Sequence, residues 1–345
     1  MQTWQGYQKG VNLGGWLSQC NHTKERYDNF IVESDIKVLA DWGADHLRLP
    51  IDYDLVETPE GEYKEDGFGY IQKAIDWCGK YNLNMVLDLH KTFGYSFDDG
   101  EGENGFFDNE NYQERFYALW EQLATRFGKY YERVSFELLN EVTSPSYCET
   151  WNRIADTCIK RIRAIVPEVT ILVGGYWNNS VSAVKDIKLS SYDNIILNFH
   201  CYEPLLFTHQ GAGWIPSMDH EFRIPFNASR EEYIDGIEKQ LPGMSEAFMA
   251  VTEGMDIITS EYFERLFAEA IEVAKEKECP LYCGESGVIN LASAEDTLDW
   301  YVAFESVLKK YNIGRAAWSY KEMDFGLVDD HMKPTIEEVK KVLFE

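Results

Sequence analysis

Basic residues are scarce in this chain, and so are the usual marks of a metal, redox or phosphate site. Its 32 lysines and arginines stand against 59 acidic residues, a formal charge of −27. A surface that acidic repels phosphate backbones and anionic headgroups, which excludes nucleic acid and membrane as partners and suits a neutral ligand. No stretch reaches the ~20 consecutive apolar residues of a spanning helix. The amino terminus, MQTWQGYQKGVNLGG, lacks a basic segment followed by an apolar one. The expectation is a cytoplasmic protein as numbered, or a secreted one whose leader was removed before numbering. Cysteines fall at 20, 78, 148, 158, 201, 279 and 283, odd in number and not spaced as a disulfide scaffold. Cys279 and Cys283 flank an apolar run without a matching Cys or His pair, so they read as packing residues rather than zinc ligands. Asp88 and His90 share one face of a strand, yet HxH and HExxH are both missing. No metal and no cofactor is expected. The sequons at Asn21, Asn178 and Asn227 carry meaning only in a secreted protein.

Low-complexity segments, Pro-rich linkers and charge blocks are missing as well, so nothing divides the chain, and residues 1–345 read as one domain. What recurs is a short apolar run ending in a polar or small residue, then a longer amphipathic stretch. The runs are KGVNLGG (9–15), HLRLP (46–50), NMVLDLH (84–90), VSFELLNE (134–141), VTILVGG (169–175), NIILNFH (194–200), CPLYCGE (279–285) and GRAAWSY (314–320). Between them ESDIKVLADWGA, EDGFGYIQKAIDWCGKYN and NYQERFYALWEQLATRFGKYY return apolar residues every three or four positions, the helical spacing. SAEDTLDWYVAFESVLKKYN runs from acids to lysines, as the helix dipole prefers. Strands alternating with helices imply parallel pairing through helical crossovers. Eight units predict an α/β fold, a (β/α)8 TIM barrel with its site where the strands end. The rival, a doubly wound open sheet, advertises a Gly-rich phosphate turn that NLGGWL does not match.

One interval breaks the rhythm. Residues 201–259 carry YEPLLFTHQGAGWIPSMDHEFRIPF and a helix-like REEYIDGIEKQL before the next barrel helix. An insertion leaving a strand's carboxyl end sits over the barrel mouth. Its aromatics (Tyr202, Phe207, Trp214, Phe222, Phe226) predict a cleft wall or lid.

The strand ends bring Arg48, His90, Asn140, Glu141, His200, Tyr202, Glu285 and Trp318 to one bowl. Two carboxyls without metal ligands suit glycoside hydrolysis, in which one acid protonates the leaving oxygen and one carboxylate works at the anomeric carbon. A gap of about 5 Å implies a covalent intermediate and retention, and about 6.5–9.5 Å implies inversion. Asn140 is placed to hold a sugar hydroxyl. Arg48 and Tyr202 are placed to hydrogen-bond Glu285 and keep it ionised. Glu141 must stay protonated near neutral pH, helped by burial and nearby negative charge. Trp318, with Trp177 as a second candidate, offers a flat face to a pyranose ring.

Read in order, GVNLGGWLSQ, HLRLPIDY, YKEDGFGYI, SFELLNEV, NFHCYEP with FTHQ, LYCGESGVI and AAWSYKEMDF resemble glycoside hydrolase family 5 from end to end. The chain is especially similar to bacterial endoglucanases that also cleave mixed-linkage β-glucan and carry an extra subdomain after strand six. The resemblance implies Glu141 as acid/base and Glu285 as nucleophile of a retaining double displacement, without metal or organic cofactor. Arg48, His90, Asn140, His200, Tyr202 and Trp318 become the supporting shell. Two departures bear on sugar preference: Lys91, followed by an acidic loop, stands where a sugar-site His is expected, and Ser286 follows Glu285 where an aromatic is common. The expected activity is endo-β-glucanase on β-1,4 or mixed β-1,3/1,4 glucan, from a monomer whose partner is β-glucan or β-gluco-oligosaccharide. The alternatives are an exo-acting β-glucosidase or exo-glucanase on short oligosaccharides, and a barrel that binds glycan without cutting it.

Overall fold

A computed structural model describes residues 1–98 and 104–345. Asp99, Glu101 and Glu103, the heart of the acidic loop after Lys91, lie outside the described residues. The strands are β1 (Lys9–Asn12), β2 (His46–Asp52), β3 (Asn84–Lys91), β4 (Val134–Glu137), β5 (Ile171–Gly174), β6 (Ile195–Cys201), β7 (Leu281–Ser286) and β8 (Gly314–Ala317). Each lies parallel to the next, and Val11 beside Ala317 joins β1 to β8 and closes the barrel. The fold is the expected (β/α)8 barrel.

Strand periodicity sorts the side chains into two sets. Leu47, Leu49 and Ile51 of β2 join the shell packed against the helices. The other set fills the barrel. Its floor is apolar, with Val86, Leu172, Ile196, Tyr282 and Ala316 packed against the stacked rings of Trp4 and Tyr7. Two residues further along the strands the filling turns polar, at Arg48, Asp88, Glu137 and Asn198, all fully buried. Two residues further again stand His90 and His200. The layering is that of a packed barrel interior with its chemistry at the strand ends.

The helices are α1 (Glu33–Trp42), α2 (Glu65–Lys80), α3 (Glu110–Phe127), α4 (Cys148–Ile165), α5 (Arg230–Gln240), α6 (Ser245–Val251), α7 (Ser260–Glu276), α8 (Ala294–Tyr311) and α9 (Ile336–Phe344). Their ends follow the sequence. In α8 the Ser293 hydroxyl accepts from the Asp296 N–H, Glu295 and Asp296 fill the first turn, and Lys309 and Lys310 fill the last. Between β5 and β6 the short turn Tyr176–Asn179 and the 3₁₀ turn Val181–Asp186 stand where a barrel helix would be expected. On the helix side of β8, buried Arg315 ties three elements: Nε donates to Glu305 of α8 at 2.6 Å, Nη1 to the Gly10 carbonyl of β1 at 2.9 Å, and Nη2 to the Leu343 carbonyl of α9.

From Cys201 the chain makes a short turn, Leu205–Thr208, then α5 and α6, before reaching α7. Its aromatics fall into two sets. Phe207 and Phe226 are buried against each other, centroids 5.4 Å apart, because short helices need a core of their own. Trp214 remains 52% exposed. The segment is moored to the barrel by the Phe226 N–H on Asp296 (3.1 Å) and by Trp300 Nε1 on the Glu203 carbonyl (3.0 Å). Strand β4 also differs from the sequence reading, ending at Glu137 rather than running on to Glu141. Residues 138–141 leave the ladder, and the Asn140 N–H bonded to the Leu89 carbonyl (3.1 Å) keeps them beside β3. The cysteines are all free, and Cys279 and Cys283 are buried. Among the described residues no helix is long and apolar enough to cross a membrane.

Candidate active site

Arg48 is the centre of the polar layer, and its five N–H groups are fully spent. Nε and Nη2 grip Glu137 at 2.7 and 2.9 Å. The second Nη2 hydrogen goes to Asn140 Oδ1 at 2.8 Å. Nη1 donates to Asn12 Oδ1 at 2.9 Å and to Glu285 Oε1 at 2.7 Å. Asp88 Oδ2 adds an ion pair at 3.1 Å. Burial works against the guanidinium's charge, but Asp88, Glu137 and Glu285 outweigh it and hold Arg48 protonated.

Glu285, at the end of β7, is held on both oxygens, since the Tyr202 hydroxyl donates to Oε2 at 2.9 Å. Burial and the negative charge of Glu285 raise the Tyr202 phenol far above its ordinary range, so it remains a donor. Glu141 stands across the bowl with its backbone at φ 43°, an uncommon left-handed conformation for a non-glycine residue. His200 lies between the two carboxyls, its Nδ1 2.7 Å from Glu141 Oε1 and 3.6 Å from Glu285 Oε2. Facing oxygens of the two glutamates lie within 4.8 Å of one another. Burial pushes the Glu141 carboxyl above its ordinary range, and Asp98 adds to the shift. Burial likewise lowers His200 to about 4, so the imidazole between the glutamates is neutral.

The other predicted residues fall around this pair. His90 Nδ1 is 2.6 Å from Asp88 Oδ2, and its ring lies parallel to Trp318, centroids 5.7 Å apart. Trp318 is only 6% exposed, packed with Ala212, Ile289 and Phe325, so its face is part of the bowl floor. Asn140 spends its oxygen on Arg48, while its buried Nδ2 has no partner in the protein. An orphaned amide donor beside the two carboxyls is a place for a ligand hydroxyl. Trp177 is 56% exposed on the turn after β5. Lys91 pairs with Asp98 at 2.9 Å. It lines a cavity of about 600 Å³ together with His22, Asp52, Tyr95 and Met323. That cavity adjoins the bowl, because the Tyr95 hydroxyl donates to the Glu141 carbonyl at 2.8 Å.

The sequence reading passed over several residues of this network. Asn178 Nδ2 donates to Glu141 Oε2 at 2.9 Å. Glu137 and Asn12 hold Arg48, and Asn198 Nδ2 donates to Glu137 Oε1 at 2.8 Å. Asp88, weighed only as a metal ligand, is raised by burial to about 7 and orients His90. Glu137, Asp88 and Asn198 did carry a signal: each is polar inside an apolar run, in the strand layer below the mouth. Among the described residues two groups have the spacing of cation ligands, His22 with Asp52 and Asp54, and His200 with the two glutamates. In the first, Asp52 also accepts from the Ser18 hydroxyl (2.6 Å) and the Gln19 N–H (3.1 Å), a hydrogen-bonded ion pair.

Comparisons with known proteins identify the family. The sequence model described as Cellulase (glycosyl hydrolase family 5) matches residues 5–324. Cellodextrinase A of Ruminococcus flavefaciens is 48% identical over 310 residues, covering 90% of this chain and 84% of that protein. Endoglucanase C of Acetivibrio thermocellus is 39% identical over 340 residues, 98% of each. Thermotoga maritima Cel5A, solved in complex with cellobiose, shares the fold with a TM-score of 0.77 at 22% identity, covering 98% of this chain and 97% of that one. The chain belongs to glycosyl hydrolase family 5, the cellulase family.

Proposed function

We propose that this glycoside hydrolase cleaves β-1,4 or mixed β-1,3/1,4 glucan internally, with retention, using Glu285 as nucleophile and Glu141 as acid/base. The observation that carries this reading is the separation of the two carboxyls, whose facing oxygens lie within 4.8 Å. An approach that close fits the ~5 Å carboxyl separation of a double displacement better than the ~6.5–9.5 Å of inversion. In the first step Glu285 attacks the anomeric carbon as its bond to the leaving oxygen breaks, and the Glu141 proton passes to that oxygen. In the second Glu141, now a carboxylate, takes a proton from water. The water oxygen bonds to the anomeric carbon and Glu285 leaves as carboxylate. Burial of Glu141 keeps the proton available for the first step.

The segment between β6 and α7 is the cleft wall in this reading. Its support is a chain of rings leading from Glu285 outward: Tyr202 to His209 (5.2 Å) and His209 to Trp214 (5.9 Å). Trp214 on this side and Trp177 on the β5 turn are the exposed faces for sugar rings, and Lys91 and Asp98 supply polar contacts in the adjoining cavity.

The test is a time course on soluble mixed-linkage β-glucan beside Glu285→Ala and Glu141→Ala. Early oligosaccharides with a rapid fall in viscosity are expected, with Glu285→Ala about ten-thousand-fold slower. Glu141→Ala should lose far less on aryl glycosides with good leaving groups, which need little protonation. Glucose alone from the outset, at unchanged viscosity, would contradict internal cleavage.

A further inference from the structure

Glu137 is a fully buried carboxylate near the site, and hydrolysis as written above gives it no task. It lies in β4, four residues before Glu141, in the polar layer below the mouth. Its two oxygens receive three donors: Arg48 Nε (2.7 Å), Arg48 Nη2 (2.9 Å) and Asn198 Nδ2 (2.8 Å). Burial pushes its carboxyl above the ordinary range and Arg48 opposes that rise; with donors on both oxygens it is a carboxylate in this arrangement. A buried Arg–carboxylate fork of this kind fixes the guanidinium plane. Of the five N–H groups of Arg48, two go to Glu137 and one each to Asn140 and Asn12, which leaves a single one for Glu285.

We infer that Glu137 is a positioning residue for Glu285, acting through Arg48: it claims the far edge of the guanidinium so that only one N–H reaches the nucleophile. It also takes a share of the positive charge. Without it, the guanidinium is free to turn its fork on Glu285, occupying both oxygens and making the carboxylate a weaker base. The inference rests on Glu285 as nucleophile. The other groups facing Glu285 are His90 of β3, His200 and Tyr202 from β6 and its exit, and Glu141 after β4. Those facing Glu137 besides Arg48 are Asp88 on β3 and His200.

Glu137→Gln keeps the shape and removes the charge. Removing a negative charge near Glu285 favours its ionised form, so the acid limb of kcat/KM should move to lower pH by about half a unit or more. kcat should fall about 10- to 100-fold, the scale of a misplaced reacting group, with KM within about twofold. Glu137→Asp retains the charge at a shorter reach, so its acid limb should stay at the wild-type position while kcat drops. An acid limb that coincides with wild type in folded Glu137→Gln would overturn the inference. Should that variant not fold, Glu137→Asp with wild-type kcat and profile would overturn it equally. Covalent labelling of wild-type Glu285 by a 2-deoxy-2-fluoro glycoside tests the underlying reading separately, since it is independent of any change at 137.

Discussion

In the proposed mechanism Asn178 tunes the proton of Glu141. Its amide donates to Glu141 Oε2, which favours the carboxylate and opposes the rise that burial imposes. Removing the donor leaves the protonated form favoured more strongly. The basic limb of kcat/KM, which reports loss of the Glu141 proton, should therefore move to higher pH in Asn178→Ala. A limb that stays in place or moves down would remove Asn178 from that role. In the sequence this residue is visible only as the first position of a glycosylation sequon. The glutamates themselves were legible, because a carboxylate at the end of an apolar run is costly unless used. The amide was not, because its contact depends on a turn that no local pattern announces.

That turn is the element after β5. Trp177, Asn178 and Asn179 take φ of 50°, 55° and 55° in succession. Left-handed backbone costs about 1–2 kcal/mol per residue, with Asn the usual exception. The turn is fastened to the Glu141 loop by the Trp177 N–H on the Thr143 carbonyl (3.1 Å) and the Asn178 N–H on Val142 (3.0 Å). One short element thus sends Trp177 outward and Asn178 inward. Gly174, the last residue of β5, makes room for it, since a Cβ there would lie 2.2 Å from the buried Asn179 side chain. Gly174→Ala should cost about 1–3 kcal/mol by denaturant unfolding, and activity should fall further than that loss of folded protein explains. Wild-type stability and activity would show that the turn tolerates displacement. Elements built on periodicity were readable from sequence. The exceptions are where tertiary contacts override it: β4 stops four residues short of Glu141, and short turns replace the helix after β5.

At the scale of the molecule, the barrel separates stability from chemistry by depth. The floor is apolar and closed by Trp4 and Tyr7, the middle layer is a network of buried charge, and the mouth carries the two glutamates. Outside the floor, between β8 and the helices, the Arg315–Glu305 pair joins the last strand to α8, with both partners buried. Breaking such a pair leaves a buried charge uncompensated, so Glu305→Ala should cost about 3–5 kcal/mol. It should leave kcat of the folded fraction unchanged, because the pair lies at the opposite end of the barrel. An equal loss of kcat in fully folded protein would show that the layers are coupled. The barrel and the set of mouth residues were legible in the order of eight apolar runs. The network beneath them was harder to see, since Asn12, Glu137 and Asn198 gain meaning only when three strands meet at Arg48.

The central claim is that Glu285 bonds to the sugar while Glu141 manages the proton. The most direct measurement is to inactivate the protein with a 2-deoxy-2-fluoro-β-cellobioside bearing a good leaving group, digest it, and locate the label by mass spectrometry. One glycosyl unit on the peptide containing Glu285, released by water or an acceptor sugar, is the predicted result. A label on another carboxylate, or no label from a protein whose natural product appears first as the inverted anomer, would contradict it.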